Sequence, residues 1–228
     1  MSGFIAIEGL DGSGKSTQID LLTRYLNNTG IQTKFVHFPR LNDGYYGHLI
    51  SKFLRGEFGD VGSVHPQLVA VLFAEDRKEF SSTLQEWLAK DYFVLMDRYV
   101  LSNIAFQCAK LKTQSEKTYL RDWINQFEYE HNQIPKPDFS IYLDVPFDFV
   151  KRSLEARRVK NERDYLNGKD DIHENNNALQ RAVQQEYETL CTIDPTIRRI
   201  HCTDSSSHMR PIDSIHQEII DLIHVRIG

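Results

Sequence analysis

The residues that could do chemistry begin early in the chain. Gly9-Leu10-Asp11-Gly12-Ser13-Gly14-Lys15-Ser16 matches G-x-x-x-x-G-K-[ST] at every fixed position. Glycines at these positions let a loop curl with its backbone N–H groups facing inward, toward a phosphate. The lysine then neutralises β and γ oxygens, and the hydroxyl after it ligates Mg²⁺. A helix starting at Lys15 adds its positive N-terminal end to the same site. Farther along, Asp97-Arg98 closes an apolar run, Val94-Leu95-Met96. That places a carboxylate for a metal's outer shell, and a guanidinium for phosphate oxygens, at a strand tip. The stretch Lys151 to Arg163 carries six cations in thirteen residues. It reads either as a solvated helix face or as a flap that closes over a triphosphate and excludes water.

Five apolar runs have the length and composition of strands that hold these groups: Phe4–Glu8, Thr33–Phe38, Tyr92–Asp97, Asp138–Val145 and Ile197–Cys202. They are more continuous than alternating, as strands buried on both faces are. Helical patterns separate them: Lys15–Asn28 (ending before Gly30), Pro66–Ala89, Leu101–Lys110, Thr118–His131, Phe147–Arg158, Ile172–Cys191 and Ile212–Val225. Strands alternating with helices predict an α/β fold, a five-stranded parallel sheet with helices on both faces and a short lid at about residues 151–170. In such a sheet ligands collect at the carboxyl ends of the strands, where the motifs fall.

The 228 residues suit one domain, and 40% hydrophobic with 26% charged residues is ordinary for a soluble globular chain. A net charge of −5 argues against a nucleic-acid polymer as partner. No run reaches the roughly 20 apolar residues of a membrane helix. The start, Met-Ser-Gly-Phe-Ile-Ala-Ile-Glu, lacks the basic region of a signal peptide. Cys108, Cys191 and Cys202 have no zinc-ligand spacing and read as reduced structural thiols. These features point to the cytoplasm. The phosphate loop alone says only nucleoside triphosphate. No Asn-Lys-x-Asp guanine-reading motif occurs, and the length leaves no room for a second motor lobe.

Four segments in order make the reading specific. Glu8 to Gln18 resembles the phosphate loop of thymidylate kinases, with an acidic residue at Asp11. Phe38-Pro39-Arg40 resembles that family's Phe-Pro-Arg element, and Leu72-Phe73-Ala74-Glu75-Asp76-Arg77 its Leu-Phe-Ala-x-x-Arg. Asp97-Arg98-Tyr99-Val100-Leu101-Ser102-Asn103-Ile104-Ala105-Phe106 is similar to its D-R-Y-x-x-S-x-x-A-[YF] signature. The resemblance implies transfer of the ATP γ-phosphoryl group to dTMP, with Mg²⁺, by a homodimer. It implies ATP contacts from Gly9, Leu10, Asp11, Gly12, Ser13, Gly14, Lys15, Ser16 and Thr17, and metal contacts from Ser16 and Asp97. On the acceptor side it implies Asp11 on the sugar 3′-hydroxyl and Arg40 and Arg98 on the phosphate. Phe73 would stack on the base, Arg77 would donate to a ring carbonyl, and Asn103 would pair with N3–H. Phe106 would crowd the 2′ position, and Phe38 and Ser102 complete the acceptor site. For Phe73 and Phe106 plain core packing is the competing reading.

Tyr142-Leu143-Asp144-Val145 resembles the element leading to the family's lid, and Asp171-Ile172-His173-Glu174 its D-x-x-E, in which Asp171 and Glu174 orient metal or substrate. His173 stands where some relatives carry an aromatic residue on the acceptor sugar. Gly12 occupies a position at which other members place arginine, so charge at the reacting phosphates is expected from Lys15 and Arg98 and from the lid residues Arg157, Arg158 and Arg163. Thr203–Ser207 is placed, by position only, to touch the donor adenine. Kinases for another pyrimidine monophosphate or for a deoxynucleoside are the nearest rival readings; a catalytically silent nucleotide-binding module is the rival from another class.

Overall fold

The computed structural model describes residues 2–158, 171–174 and 176–227. Five strands form one parallel sheet in the order β2-β3-β1-β4-β5: β1 Gly3–Glu8, β2 Thr33–His37, β3 Phe93–Asp97, β4 Phe139–Asp144 and β5 Ile197–His201. The two central strands, β1 and β3, are buried almost throughout, as their unbroken apolar runs predict. The edge strand β2 departs from that expectation. It is only partly covered, and Phe35 is 48% exposed. The chain leaves β1 for β2 on one side and leaves β3 for β4 on the other, so the topology reverses between β1 and β3. A crevice opens at such a switch point, beyond the strand ends Glu8 and Asp97.

Three helices keep the predicted bounds: α1 Lys15–Asn28, α3 Pro66–Ala89 and α6 Phe147–Arg158. His65 caps α3 through its side chain, and Pro66 fills a first-turn position where no N–H is needed. Helix α4, Val100–Cys108, follows β3. A capping box, with the Thr113 and Glu116 side chains each bonded to the other's backbone N–H, starts α5 (Gln114–Asn125) four residues before the expected Thr118. The expected end of that helix, up to His131, is a π-helical turn, Gln126–His131. Helix α8 is Ile212–Ile227. The helix expected from Ile172 begins instead at Asn177 and runs to Ile193 as α7. Residues 172–174 form a turn, because Asp171 Oδ1 accepts from the His173 and Glu174 N–H groups and Asn176 caps the helix itself.

Helix α2, Gly44–Leu54, has no counterpart in the sequence reading. Its glycines and aromatics have poor helix propensity, and packing decides the outcome. A Cβ at Gly47 would fall on the Arg40 carbonyl, so only glycine lets α2 cross there. Ile50, Phe53 and Leu54 then form a satellite core with Val69 of α3, and Phe73 packs against it.

Candidate active site

Beyond the strand ends, one cleft gathers residues from the phosphate loop after β1, from the end of β2 and the loop after it, from the turn after β3, from α2, α3 and α4, and from the 171–174 turn. It encloses about 630 Å³ counting its open mouth. Asp11, Phe38, Phe73, Arg77, Arg98 and Asn103 all line it. Ser102, Phe106, Asp171, His173 and Glu174 complete the predicted residues that meet there.

The phosphate loop leads from β1 to α1. Lys15 is buried, and its Nζ donates to the Gly9 and Leu10 carbonyls at 3.2 and 2.9 Å and lies 4.0 Å from Asp97 Oδ1. Burial, then the charge of Arg98, pull its pKa below the usual lysine range; Asp97, Asp11 and Glu8 oppose this. Asp97 behaves oppositely. Burial pushes its pKa up, but Lys15, His37 and Arg98 together outweigh that and hold it charged. Its Oδ2 meets His37 Nδ1 at 3.1 Å, while its Oδ1 has no hydrogen bond among the described residues. Ser16, exposed, stands in the first turn of α1. A hydroxyl and a buried ionised carboxylate form a hard-oxygen pair that fits a small divalent cation sharing its remaining sites with phosphates and water. Gly12 has φ +82°, and a Cβ there would lie 3.2 Å from the Val150 carbonyl and 3.3 Å from the Ser153 and Leu154 side chains. The loop therefore packs directly on α6, and a side chain at this loop position, arginine included, would crowd α6 and strain a left-handed backbone.

Arg98 sits where β3 hands over to α4, at φ +68°, in the left-handed region that non-glycine residues rarely adopt. Its own N–H donates to the Ile7 carbonyl, and the next N–H, of Tyr99, donates to Glu8 Oε1 at 2.8 Å. Glu8 Oε2 accepts from Ser102 Oγ at 2.5 Å and from Tyr187 Oη at 3.0 Å. This fully buried carboxylate, raised in pKa chiefly by burial, thus holds the strained turn from three sides. The guanidinium that results donates to Asp11 Oδ1 at 2.7 Å and to Ser102 Oγ at 3.0 Å and lies 5.3 Å from the Phe106 ring. For Asp11, burial raises the pKa, yet Arg98, Lys15 and His37 drive it well below the carboxylate range. Glu8 and Tyr187 are functional supports that the motif reading passed over; a carboxylate ending a buried strand was the available signal for Glu8.

Arg77, also lining the cleft, is buried and paired with Glu128, Nε to Oε2 at 2.6 Å and Nη2 to Oε1 at 2.5 Å. Asn103 Nδ2 donates to the same Oε1 at 2.9 Å and to the Ala70 carbonyl at 3.0 Å. Phe106 stacks on His173 with ring centroids 5.3 Å apart, and His173 meets Phe53 edge-on. Burial, with Lys110 nearby, keeps His173 neutral.

Arg40 does not line the cleft. Its guanidinium is bonded to Asp76, Glu79 and Asp43, and a phosphate would have to displace one of the latter two, which are the more exposed. Arg157 and Arg158 end α6, but their side chains, and all of Arg163, lie outside the described residues, as does most of the expected lid. The 203–207 segment turns back on itself: Asp204 N bonds the His208 carbonyl and Thr203 bridges to Met209.

A model of the family described as thymidylate kinase matches residues 7–219. The chain belongs to the thymidylate kinase family. The probable thymidylate kinase of Pyrococcus horikoshii is 33% identical to it, over 99% of this chain and 98% of the relative. The thymidylate kinase of Mycobacterium tuberculosis is 32% identical over 82% of this chain and 84% of its own. The solved thymidylate kinase of Candida albicans, described as having broad substrate specificity, superposes with a TM-score of 0.72 at 26% identity, covering 98% of this chain and 92% of that one. Membership makes the chain a phosphate-transferring kinase of the dTMP kinase type. Among the described residues no helix is long and apolar enough to cross a membrane.

Proposed function

We propose that the protein transfers the γ-phosphoryl group of ATP to dTMP, giving ADP and dTDP, by in-line attack of an acceptor phosphate oxygen. The observation that carries this reading is that one cleft is lined both by Arg98, whose guanidinium rests on Asp11 of the phosphate loop, and by the buried Arg77 and Asn103. A cation suits a nucleotide's phosphate, and a fixed donor with an amide suits its base. Thymine offers a carbonyl to Arg77 and an N3–H to Asn103, whereas cytosine offers an amino group and a bare nitrogen. Phe73 packs on the base, Asp11 accepts from the sugar hydroxyl, and Phe106 excludes a 2′ substituent. Arg40 assists at the phosphate after leaving Glu79 or Asp43.

An acceptor phosphate is already ionised near neutral pH, so no strong general base is required. Catalysis rests on position and charge. Lys15 and the loop N–H groups hold the donor phosphates, and Arg98 spans donor and acceptor. Arg157, Arg158 and Arg163 add charge from the lid. Ser16 and Asp97 would hold Mg²⁺, which when bound neutralises charge on the β and γ oxygens; Asp171 and Glu174 orient the acceptor side. The family resemblance supports a homodimer. The three free thiols, with Cys108 and Cys202 pushed up to about 12 by burial, suit a reducing cytoplasm. ADP release measured with dTMP, dUMP, dCMP, the ribo-form of dTMP and thymidine tests the assignment. Turnover with dTMP and none with thymidine is expected; a nucleoside preference would overturn it. Light scattering after size-exclusion chromatography checks the dimer.

A further inference from the structure

The base-reading residues Arg77 and Asn103 share one partner, and that partner comes from an unusual place. Glu128 lies in the π-helical turn Gln126–His131 and is fully buried. A π turn packs an extra residue into the helix and so turns side chains inward that a regular helix would point elsewhere; such turns recur at functional sites. The turn is tied to α3 at its end. Asn132 Nδ2 donates to Glu75 Oε1 at 3.0 Å, and Lys78 Nζ to the Asn132 carbonyl at 2.6 Å.

Each Glu128 oxygen has a distinct task. Oε2 takes Arg77 Nε, and Oε1 takes both Arg77 Nη2 and Asn103 Nδ2. Two arms of the guanidinium are thereby fixed, and the third nitrogen, Nη1, has no hydrogen bond to a described residue. For Asn103 the consequence is a choice of edge. Its NH₂ faces two acceptors, Glu128 Oε1 and the Ala70 carbonyl, so the flipped amide would set oxygen against oxygen. The amide oxygen must therefore lie on the other side. Asn103 Oδ1 is buried, in a residue lining the cleft, and has no hydrogen bond among the described residues. A buried acceptor left over in this way matches a ring N–H and conflicts with a ring nitrogen lone pair.

We propose that Glu128 is the positioning residue for base selection: it fixes Arg77 as a donor and Asn103 as an acceptor, and so sets the preference for a thymine-type edge over a cytosine edge. This rests on the proposed reading of the cleft as the dTMP site. Glu128 touches no substrate and acts through the two residues it holds.

The test compares Glu128→Gln and Glu128→Asp with the wild type, measuring kcat/KM for dTMP and for dCMP and the KM for ATP. Glutamine brings an NH₂ into a place that needs two acceptors, so one Arg77 or Asn103 donor faces another donor. Both side chains are then free to move. We expect the dTMP-to-dCMP ratio to fall by about tenfold or more, a change equivalent to about 1.4 kcal/mol, with the KM for ATP unchanged. Aspartate keeps the charge that Arg77 requires but draws it back by one methylene, so it should fold and retain a ratio between the two. Should Glu128→Gln fail to fold, the aspartate variant alone decides. A purely structural glutamate would lower both acceptors alike; an unchanged ratio in a folded variant overturns the proposal. Wild-type enzyme that phosphorylates neither acceptor would instead refute the proposed function.

Discussion

Two groups of residues around the cleft are held in different ways. Arg77, Asn103 and Glu128, the group proposed to read the base, are buried and bonded to one another or to a backbone carbonyl, so their geometry is fixed without a ligand. The cations proposed to meet phosphate rest on exchangeable partners. Lys15 lies on two loop carbonyls and Arg98 on the partly exposed Asp11; Arg40, outside the cleft, keeps the buried Asp76 but shares the more exposed Asp43 and Glu79. A rigid edge-reader rejects the wrong base because its donors would go unpaired. A cation on exchangeable partners can follow charge as it moves between donor and acceptor. On the proposed reading selectivity and rate belong to separate groups of residues, and substitutions should separate them.

The largest effect is expected from Lys15→Ala. Loss of the main loop cation should lower kcat by at least about 10³-fold, the upper range for one removed charge-stabilising donor. The dTMP-to-dCMP ratio should stay put and the circular dichroism spectrum should be unchanged. A shift in acceptor preference would join the two groups that the proposed reading separates.

Arg77→Met should do the reverse. The dTMP-to-dCMP ratio of kcat/KM should fall by roughly 10²-fold or more, since sites built to bond one edge discriminate strongly. Saturating kcat with dTMP should change far less than in Lys15→Ala. Equal preference in wild type and variant would show that Arg77 does not read the base.

How far these regions could be read in advance differs for a physical reason. The phosphate loop, Asp97-Arg98 and the bounds of α1 and α3 were legible, because glycine spacing, strand ends and caps are local signals. Glu128 was not. It meets Arg77 across fifty-one residues of sequence, and the π turn that aims it inward is a product of packing. Helix α2 was missed because its glycines serve a helix crossing, and the start of α7 because Asp171 and Asn176 capture backbone N–H groups. The Thr113–Glu116 capping box was present in the sequence and unused.

A smaller effect probes how the loop leans on α6. Gly12→Ala forces a Cβ into a left-handed residue and against Val150, Ser153 and Leu154, and should cost about 1–2 kcal/mol of stability. Thermal melts would show it, with the KM for ATP rising more than that for dTMP. An unperturbed variant would mean that this contact does not constrain the loop.

An effect of similar size depends on pH. Burial pushes Lys110 down to about 7, with its Nζ against Gln107 Oε1 and the Phe53 ring. Between that value and the lysine norm near 10.4 the unfolded chain binds the extra proton, so the stability of wild type relative to Lys110→Met should rise with pH, on the order of 1 kcal/mol per unit. Denaturant melts of both proteins from pH 7 to 9 measure the difference; a flat or falling difference would place Lys110 in water.

A preset base pocket should make the enzyme prefer dTMP when both acceptors compete. This is measured in a single reaction holding ATP, Mg²⁺ and equal amounts of dTMP and dCMP, with the nucleotides separated by anion-exchange chromatography over time. dTDP should accumulate first while dCMP persists until dTMP is largely consumed. Formation of dCDP at the same rate, or the absence of dTDP, would contradict the preset pocket.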